Sequence, residues 1–207
     1  MTRTRRASRR GNSLMEFGLV GIILVPLFLG TTNLGLNLGR SVQVQQLARD
    51  AGHMYVRQVD FSLVKNRKLL VRLGQNLGLQ DSAGPGVLIM SKIMLIGPEQ
   101  CAAGGMAGAC PNQGKPVIIE RLTLGTNNLK ASVYGTPSGG IVGPNGNIAM
   151  SDYLADASAV TAGFSPGLLT GMLDGETAFL VETYFEFPEW FMNTSYTNKG
   201  IYARSVY

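Results

Sequence analysis

The feature that most constrains this chain of 207 residues is a stretch without any charged side chain, residues 17–39. A helix of these 23 residues would be about 34 Å long at about 1.5 Å per residue. The hydrocarbon core of a membrane is about 30 Å thick. The stretch therefore predicts a single membrane-spanning helix, and Pro26 predicts a kink inside it.

The charges around this stretch predict its orientation. Five arginines precede Gly11, whereas only Arg40 follows the stretch directly, and positive charge collects on the cytoplasmic side of membrane helices. We therefore expect a single pass with a cytoplasmic N-terminus, and everything from Arg40 onward outside the inner membrane. The five arginines also account for the net charge of +5, because the other 13 Lys and Arg residues balance 13 Asp and Glu residues. Such a neutral body argues against nucleic-acid binding.

A cleavable secretory signal peptide is an alternative interpretation, since it also has a basic start and an apolar run. However, residues 30–35 contain no convincing cut site of the Ala-x-Ala kind. Glu16 also stands at the cytoplasmic edge of the run, where a carboxylate hinders insertion into the membrane. Glu16 is therefore a candidate functional residue.

The residues around Glu16 form a recognisable pattern. The segment Arg-Arg-Gly-Asn-Ser-Leu-Met-Glu-Phe at residues 9–17 resembles the processing site of type IV prepilins. In that family the cut follows the glycine, and a glutamate stands five residues into the mature chain. Gly11, Asn12 and Glu16 match this spacing. The pair Glu16-Phe17 is similar to that of the tight-adherence branch, whose minor members are called TadE-like proteins.

The resemblance is clearest over residues 11–61, and it implies a structural protein rather than an enzyme. The implied protein is a minor pilin or pseudopilin of a tight-adherence pilus or secretion system. Its partners would be a prepilin peptidase, other pilin subunits, the inner-membrane assembly platform and membrane lipid. After assembly such a subunit would stand in an extracellular pilus.

A cut between Gly11 and Asn12 has a chemical rationale of its own. It would create an α-amino group on Asn12, and Glu16 of a neighbouring subunit could pair with that cation, which would offset the cost of burying either charge. The same cut would remove all five leader arginines. We therefore expect processing to convert an anchored helix into one that can leave the bilayer.

The pattern after Arg40 remains helical but becomes amphipathic, and it predicts that the first helix continues to about Asp60. Its apolar positions recur at helical spacing: Val44, Leu47, Ala48, Ala51 and Tyr55. The sequence Asp60-Phe61-Ser62 predicts a helix cap. A second, shorter helix is predicted after it, with an apolar stripe of Leu69, Leu70, Leu73 and Leu77.

The rest of the chain predicts short strands separated by turns. They cover residues 87–96, 117–124, 131–134, 179–187 and 201–207, with a surface loop at 135–147. The first two would form a hairpin, and the last would complete an antiparallel sheet. The predicted fold class is α+β. Its parts are a basic leader (1–11), a transmembrane helix (12–39), an amphipathic helical region (40–78) and an extracytoplasmic β-rich domain (79–207).

Cys101 and Cys110 are the two cysteines of the chain. An isolated pair in an exported protein predicts a disulfide that closes a small loop, although two separate free thiols remain an alternative. A metal pair is disfavoured, since the single histidine, His53, lies far away in the sequence.

The sequence contains no recognisable catalytic constellation. We find no His-Glu-x-x-His or Gly-x-Ser-x-Gly motif, so we predict no enzyme activity, no cofactor and no metal. The alternative to the pilin hypothesis is an uncleaved, signal-anchored periplasmic binding or assembly protein. An exported enzyme is a more distant third possibility.

Overall fold

The computed structural model describes residues 10–164, 171–187 and 200–207; residues 1–9, most of the predicted leader, lie outside the described part. The chain begins with one long helix, α1 (Arg10–Val56), of 47 residues. At about 1.5 Å per residue this helix is about 70 Å long. It runs without a break through Pro26 and across the domain boundary predicted at residue 40.

Helix α1 ends at Val56 rather than near Asp60, so the predicted end was about four residues too far. Gln58 stops the helix because it adopts a left-handed conformation with φ of 59°. The Gln58 amide donates to the carbonyl of Tyr55, and the Val59 amide donates to that of Met54. This is the Schellman arrangement, which normally uses glycine at the left-handed position.

The second helix, α2 (Val64–Leu73), is followed by a short 3-10 turn at Gln75–Leu77. The predicted cap was wrong, since Leu63 occupies the N-cap position. Asp60 instead accepts hydrogen bonds from the amide and hydroxyl of Ser62. The predicted stripe is only half correct: Leu70 and Leu77 are buried, whereas Leu69 and Leu73 remain nearly half exposed.

Four strands form one antiparallel sheet in the order β2-β1-β3-β4. The predicted hairpin of the first two strands and the C-terminal strand are confirmed. A bulge between Lys92 and Ile93 shifts the register of the hairpin, leaving Ile119 without a partner residue. The strands are β1 (Gly86–Leu95), β2 (Pro116–Gly125), β3 (Thr177–Glu186) and β4 (Gly200–Val206).

The segment at 131–134, predicted as a strand, is a turn. The Val133 amide, which a strand would pair with a neighbouring strand, donates to the side chain of Glu182. Two short helices lie in the region predicted to be only β-rich, α3 (Pro98–Ala103) and α4 (Met150–Ala155).

Both faces of the sheet are covered. On the front face, alternate side chains of the strands pack against α1, and this cluster includes Leu88, Met90 and Val181. On the back face, Ile93 and Leu180 join a second cluster with residues of α3, α4 and the loops between them. The fold is therefore α+β, with an apolar N-terminal helix preceding a small antiparallel sheet.

Candidate functional surfaces

The first part of α1 is an apolar surface that the described residues of the chain leave uncovered. Phe17 and Ile22 are 80% and 75% exposed, and fourteen large apolar side chains between Met15 and Val42 are exposed. No residue of the most apolar window of this helix is buried. By length and composition the helix could cross a membrane. An exposed apolar surface of this size marks contact with lipid or protein.

The residues of the predicted processing and assembly site lie at the beginning of this surface. Gly11 and Asn12 belong to the first turn of α1. Glu16 follows Asn12 by four positions, so one helix face carries both residues. Glu16 and Phe17 are exposed, and Glu16 is the only charged residue between positions 12 and 39. The geometry thus leaves Glu16 accessible to another molecule.

The second part of α1 is held firmly against the sheet. The predicted apolar face is buried, with Val44, Leu47, Ala48, Ala51 and Tyr55 at most 3% exposed. The hydroxyl of Ser205 on β4 donates to the carbonyl of Ala48 over 3.0 Å. The ring of Tyr207 lies directly on Gly52, where any side chain would collide with it. One helix therefore carries an exposed apolar surface in its first part and packs onto the sheet domain in its second part.

The change from free to packed helix occurs at Arg40. Its guanidinium lies over the ring of Phe187, 4.9 Å from the ring centroid, and Phe187 stacks on Phe185. This cation–π contact holds the first charged residue after the apolar stretch against the end of β3. The sheet domain thus begins directly where the uncharged stretch ends.

The two cysteines form a disulfide between α3 and the loop that follows it, with 5.8 Å between the Cα atoms of Cys101 and Cys110. This confirms the predicted pair. Asn112 then fixes the loop to α4, because its side-chain amide donates to the carbonyls of Tyr153 and Asp156 over 2.9 Å each. The disulfide therefore stabilises the layer on the back of the sheet.

A buried carboxylate on the back face was not predicted. Glu182 is 2% exposed and accepts hydrogen bonds from the hydroxyl of Ser132, the amide of Val133 at 3.0 Å and the hydroxyl of Tyr202 at 2.7 Å. Burial and this carboxylate raise the pKa of Tyr202 above its ordinary range. The sequence signal was an isolated acid within the apolar strand β3. Glu182 attaches loop 126–136 to the sheet.

A cleft of about 390 Å³ lies on the front face beyond the end of α1. Glu120, Lys92 and Phe179 form one row across three strands there, and the ammonium of Lys92 lies 5.4 Å from the centre of the Phe179 ring. Burial raises the pKa of Glu120, and the charge of Lys92 opposes this. Tyr55 lines the same cleft. Burial and the neighbouring Glu120 carboxylate raise the pKa of its hydroxyl above the ordinary range, although this buried hydroxyl makes no hydrogen bond of ordinary geometry to the described residues.

Comparisons with models of known protein families, with curated protein sequences and with solved structures gave no match. In the part of the chain that the structure describes, no group of three or more His, Cys, Asp or Glu side chains could hold a metal ion.

Proposed function

We propose that this chain is a TadE-like minor pilin or pseudopilin of a tight-adherence pilus or secretion system. It resides in the bacterial inner membrane as a single-pass protein with a cytoplasmic N-terminus, and its sheet domain lies in the periplasm. A prepilin peptidase removes residues 1–11, and the processed subunit associates with other pilins on the inner-membrane assembly platform. Its role is structural.

One observation carries the proposal: a single helix is exposed and apolar in its first part and packed onto a folded domain in its second. A soluble protein would leave this apolar surface in water at a cost of about 25 cal/mol per Å². Lipid before assembly and neighbouring helices after assembly remove that cost. The same helix can serve in both places because the apolar side chains of its first part are exposed and not packed on the described part of the sheet domain.

The position of Glu16 supports assembly rather than simple anchoring. A carboxylate at the edge of an apolar surface is unfavourable in lipid, and a purely anchoring helix has no use for it. In an assembly, the new amino group on Asn12 of one subunit supplies the positive partner for Glu16 of the next. Such a pair also favours one axial position of the two helices, because other positions leave a buried charge unpaired.

A second function, an uncleaved periplasmic binding protein, is favoured by one observation. The cleft at the end of α1 is lined by the buried hydroxyl of Tyr55 and by the neighbouring charged residues Glu120 and Lys92. A binding protein needs such a cleft but does not need processing after Gly11. The two functions therefore differ in the N-terminus of the mature chain.

Intact-mass and N-terminal mass spectrometry test this difference in cells with and without the prepilin peptidase. We expect a chain beginning at Asn12 in the first cells and an unprocessed leader in the second. The variant Gly11→Val should block processing, whereas the matched variant Gly18→Val, within the apolar stretch, should be processed normally. The proposal fails if the leader persists in both strains, or if Gly11→Val is cut as efficiently as the unmodified chain.

A further inference from the structure

The back of the sheet contains a cleft whose lining is rich in hydrogen-bond donors. It lies between strands β1 and β2 and the loop at residues 126–136, and its volume is about 200 Å³. Two cations and several polar groups line it, but no acidic side chain does. Its polar lining residues include Arg121, Lys130, Asn127, Asn128, Thr123 and Thr136.

Arg121 is the unusual member of this lining. Its side chain is 8% exposed, and one terminal nitrogen donates to the carbonyl of Gly135 over 2.6 Å. Its Nε is buried and has no hydrogen-bond partner among the described residues. The half-buried Arg67, by contrast, forms a bidentate ion pair with Asp81. A buried guanidinium without a paired anion is costly.

The neighbouring carboxylate of Glu182 does not serve as the paired anion of Arg121. Glu182 raises the pKa of Arg121, but burial has the larger effect and lowers that pKa to about 10. Arg121 therefore remains protonated at neutral pH. The Glu182 carboxylate already accepts hydrogen bonds from Ser132, Val133 and Tyr202 and forms no ion pair with Arg121 in the described part of the chain.

We propose that this cleft binds a small oxoanion group, either a carboxylate or a sulfate or phosphate. The guanidinium of Arg121 and the ammonium of Lys130 would supply charge-assisted hydrogen bonds, which are the strong ones in such sites. The amides of Asn127 and Asn128 and the hydroxyls of Thr123 and Thr136 would satisfy the other oxygen lone pairs. The volume suits an anionic group rather than a large ligand.

The location makes this site independent of assembly. Arg121 and Glu182 lie on the face of the sheet opposite α1, whose contacts are with Leu88 and Met90 on the other face. The cleft is therefore separate from the helix surface on which the proposed assembly depends. The inference goes beyond the proposed function, and either can fail without the other.

The test uses the full chain in detergent micelles, titrated with sodium sulfate, phosphate or acetate at constant ionic strength against sodium chloride. The ¹H–¹⁵N NMR signals of arginine Nε groups and of the amides of Ala131, Ser132 and Thr136 are followed. We expect saturable shifts with at least one oxoanion. Saturation by acetate alone identifies a carboxylate site, and saturation by sulfate or phosphate identifies a tetrahedral one; both support the proposal.

Three variants define the site further. Arg121→Lys keeps the charge but loses Nε–H, so it should weaken binding about tenfold or more. Lys130→Gln should weaken it about threefold. Lys68→Gln makes the same charge change on α2 and should have no effect. If Arg121→Lys does not fold, Lys130→Gln still tests whether the cations of this cleft bind the oxoanion.

The proposal is overturned if no oxoanion produces shifts beyond those of chloride, or if the shifts never saturate. It is equally overturned if Lys68→Gln weakens binding as much as Lys130→Gln, since the response would then reflect net charge alone.

Discussion

The two parts of α1 are both apolar, yet they have opposite surroundings. Leu36 in the first part is 56% exposed, whereas Leu47 in the second is 3% exposed. Apolar content alone therefore does not separate them. The difference is whether the chain itself supplies a partner: the sheet covers the second part, and nothing in the described residues covers the first.

Because of this difference, the two parts of α1 should determine different properties: the folding of the domain in one case, and its location and association in the other. Residues in the second part should determine whether the domain folds, because their burial is complete within one chain. Residues in the first part should determine where the protein resides and what it associates with, because their burial needs lipid or another subunit. The predictions below test this separation.

The largest effect is expected for Glu16→Ala. Removing one member of a buried charge pair costs about 3–5 kcal/mol, so the variant should incorporate at least about a hundredfold less into assemblies. Co-purification with other pilins from isolated filaments measures this. The free energy of unfolding of the sheet domain should not change. Wild-type incorporation would contradict the proposed role of Glu16.

The next effect compares two leucines. Leu47→Ala should lower the free energy of unfolding by about 2–5 kcal/mol, because it leaves a cavity in a packed cluster. Leu36→Ala deletes the same atoms where no neighbour packs and should change it by less than about 0.5 kcal/mol. Denaturant unfolding in detergent, followed by circular dichroism, measures both. Equal losses would show that the sheet domain depends on both parts of α1.

A smaller effect is expected at the two glycines Gly52 and Gly18. In Gly52→Ala the new methyl group would collide with the ring of Tyr207, and such overpacking costs about 1–3 kcal/mol. In Gly18→Ala the methyl group meets no atom within 4 Å, so the domain should keep its stability. Thermal unfolding measures the difference. Adding Tyr207→Ala to Gly52→Ala should remove the overpacking; if the double variant shows no such relief, the contact is not the cause.

The sequence predicted those parts of the fold that depend on repeated spacing. The buried face of α1 was predicted from Val44 to Tyr55 because its apolar residues follow the helical period. The strands were predicted because apolar, often β-branched residues are bounded by Gly and Pro. Helix α4 was missed because its six residues are too few to display a period.

The remaining errors arose where residue type and spacing carry no signal of the conformation or contact that the structure shows. The end of α1 depends on Gln58 in a left-handed conformation, for which its residue type gives no signal. The segment at 131–134 turns because its Val133 amide bonds to Glu182, 49 positions away. The candidate oxoanion site was missed for the same reason, since Arg121 and Lys130 approach each other only after loop 126–136 folds over the sheet.

The smallest effect is expected for the pH dependence of stability, and it concerns Glu120, which lies on the sheet beyond the end of α1. Burial raises the pKa of Glu120, so the folded state holds that proton more tightly than the unfolded chain does. The resulting stability is present below the ordinary carboxyl pKa and is lost as pH rises through the raised value. Glu120→Gln should remove this pH dependence and change stability at pH 7 by less than about 1 kcal/mol.

Unfolding measured between pH 4 and pH 8 tests this expectation, with Glu99→Gln as the control because Glu99 is exposed. In the control, the free energy of unfolding should depend on pH as it does in the unmodified chain. If Glu120→Gln leaves this pH dependence unchanged as well, Glu120 is not desolvated and the cleft is open to water. Loss of this pH dependence would instead show that Glu120 is desolvated. The packed front face of the sheet would then extend beyond Val56, where α1 ends.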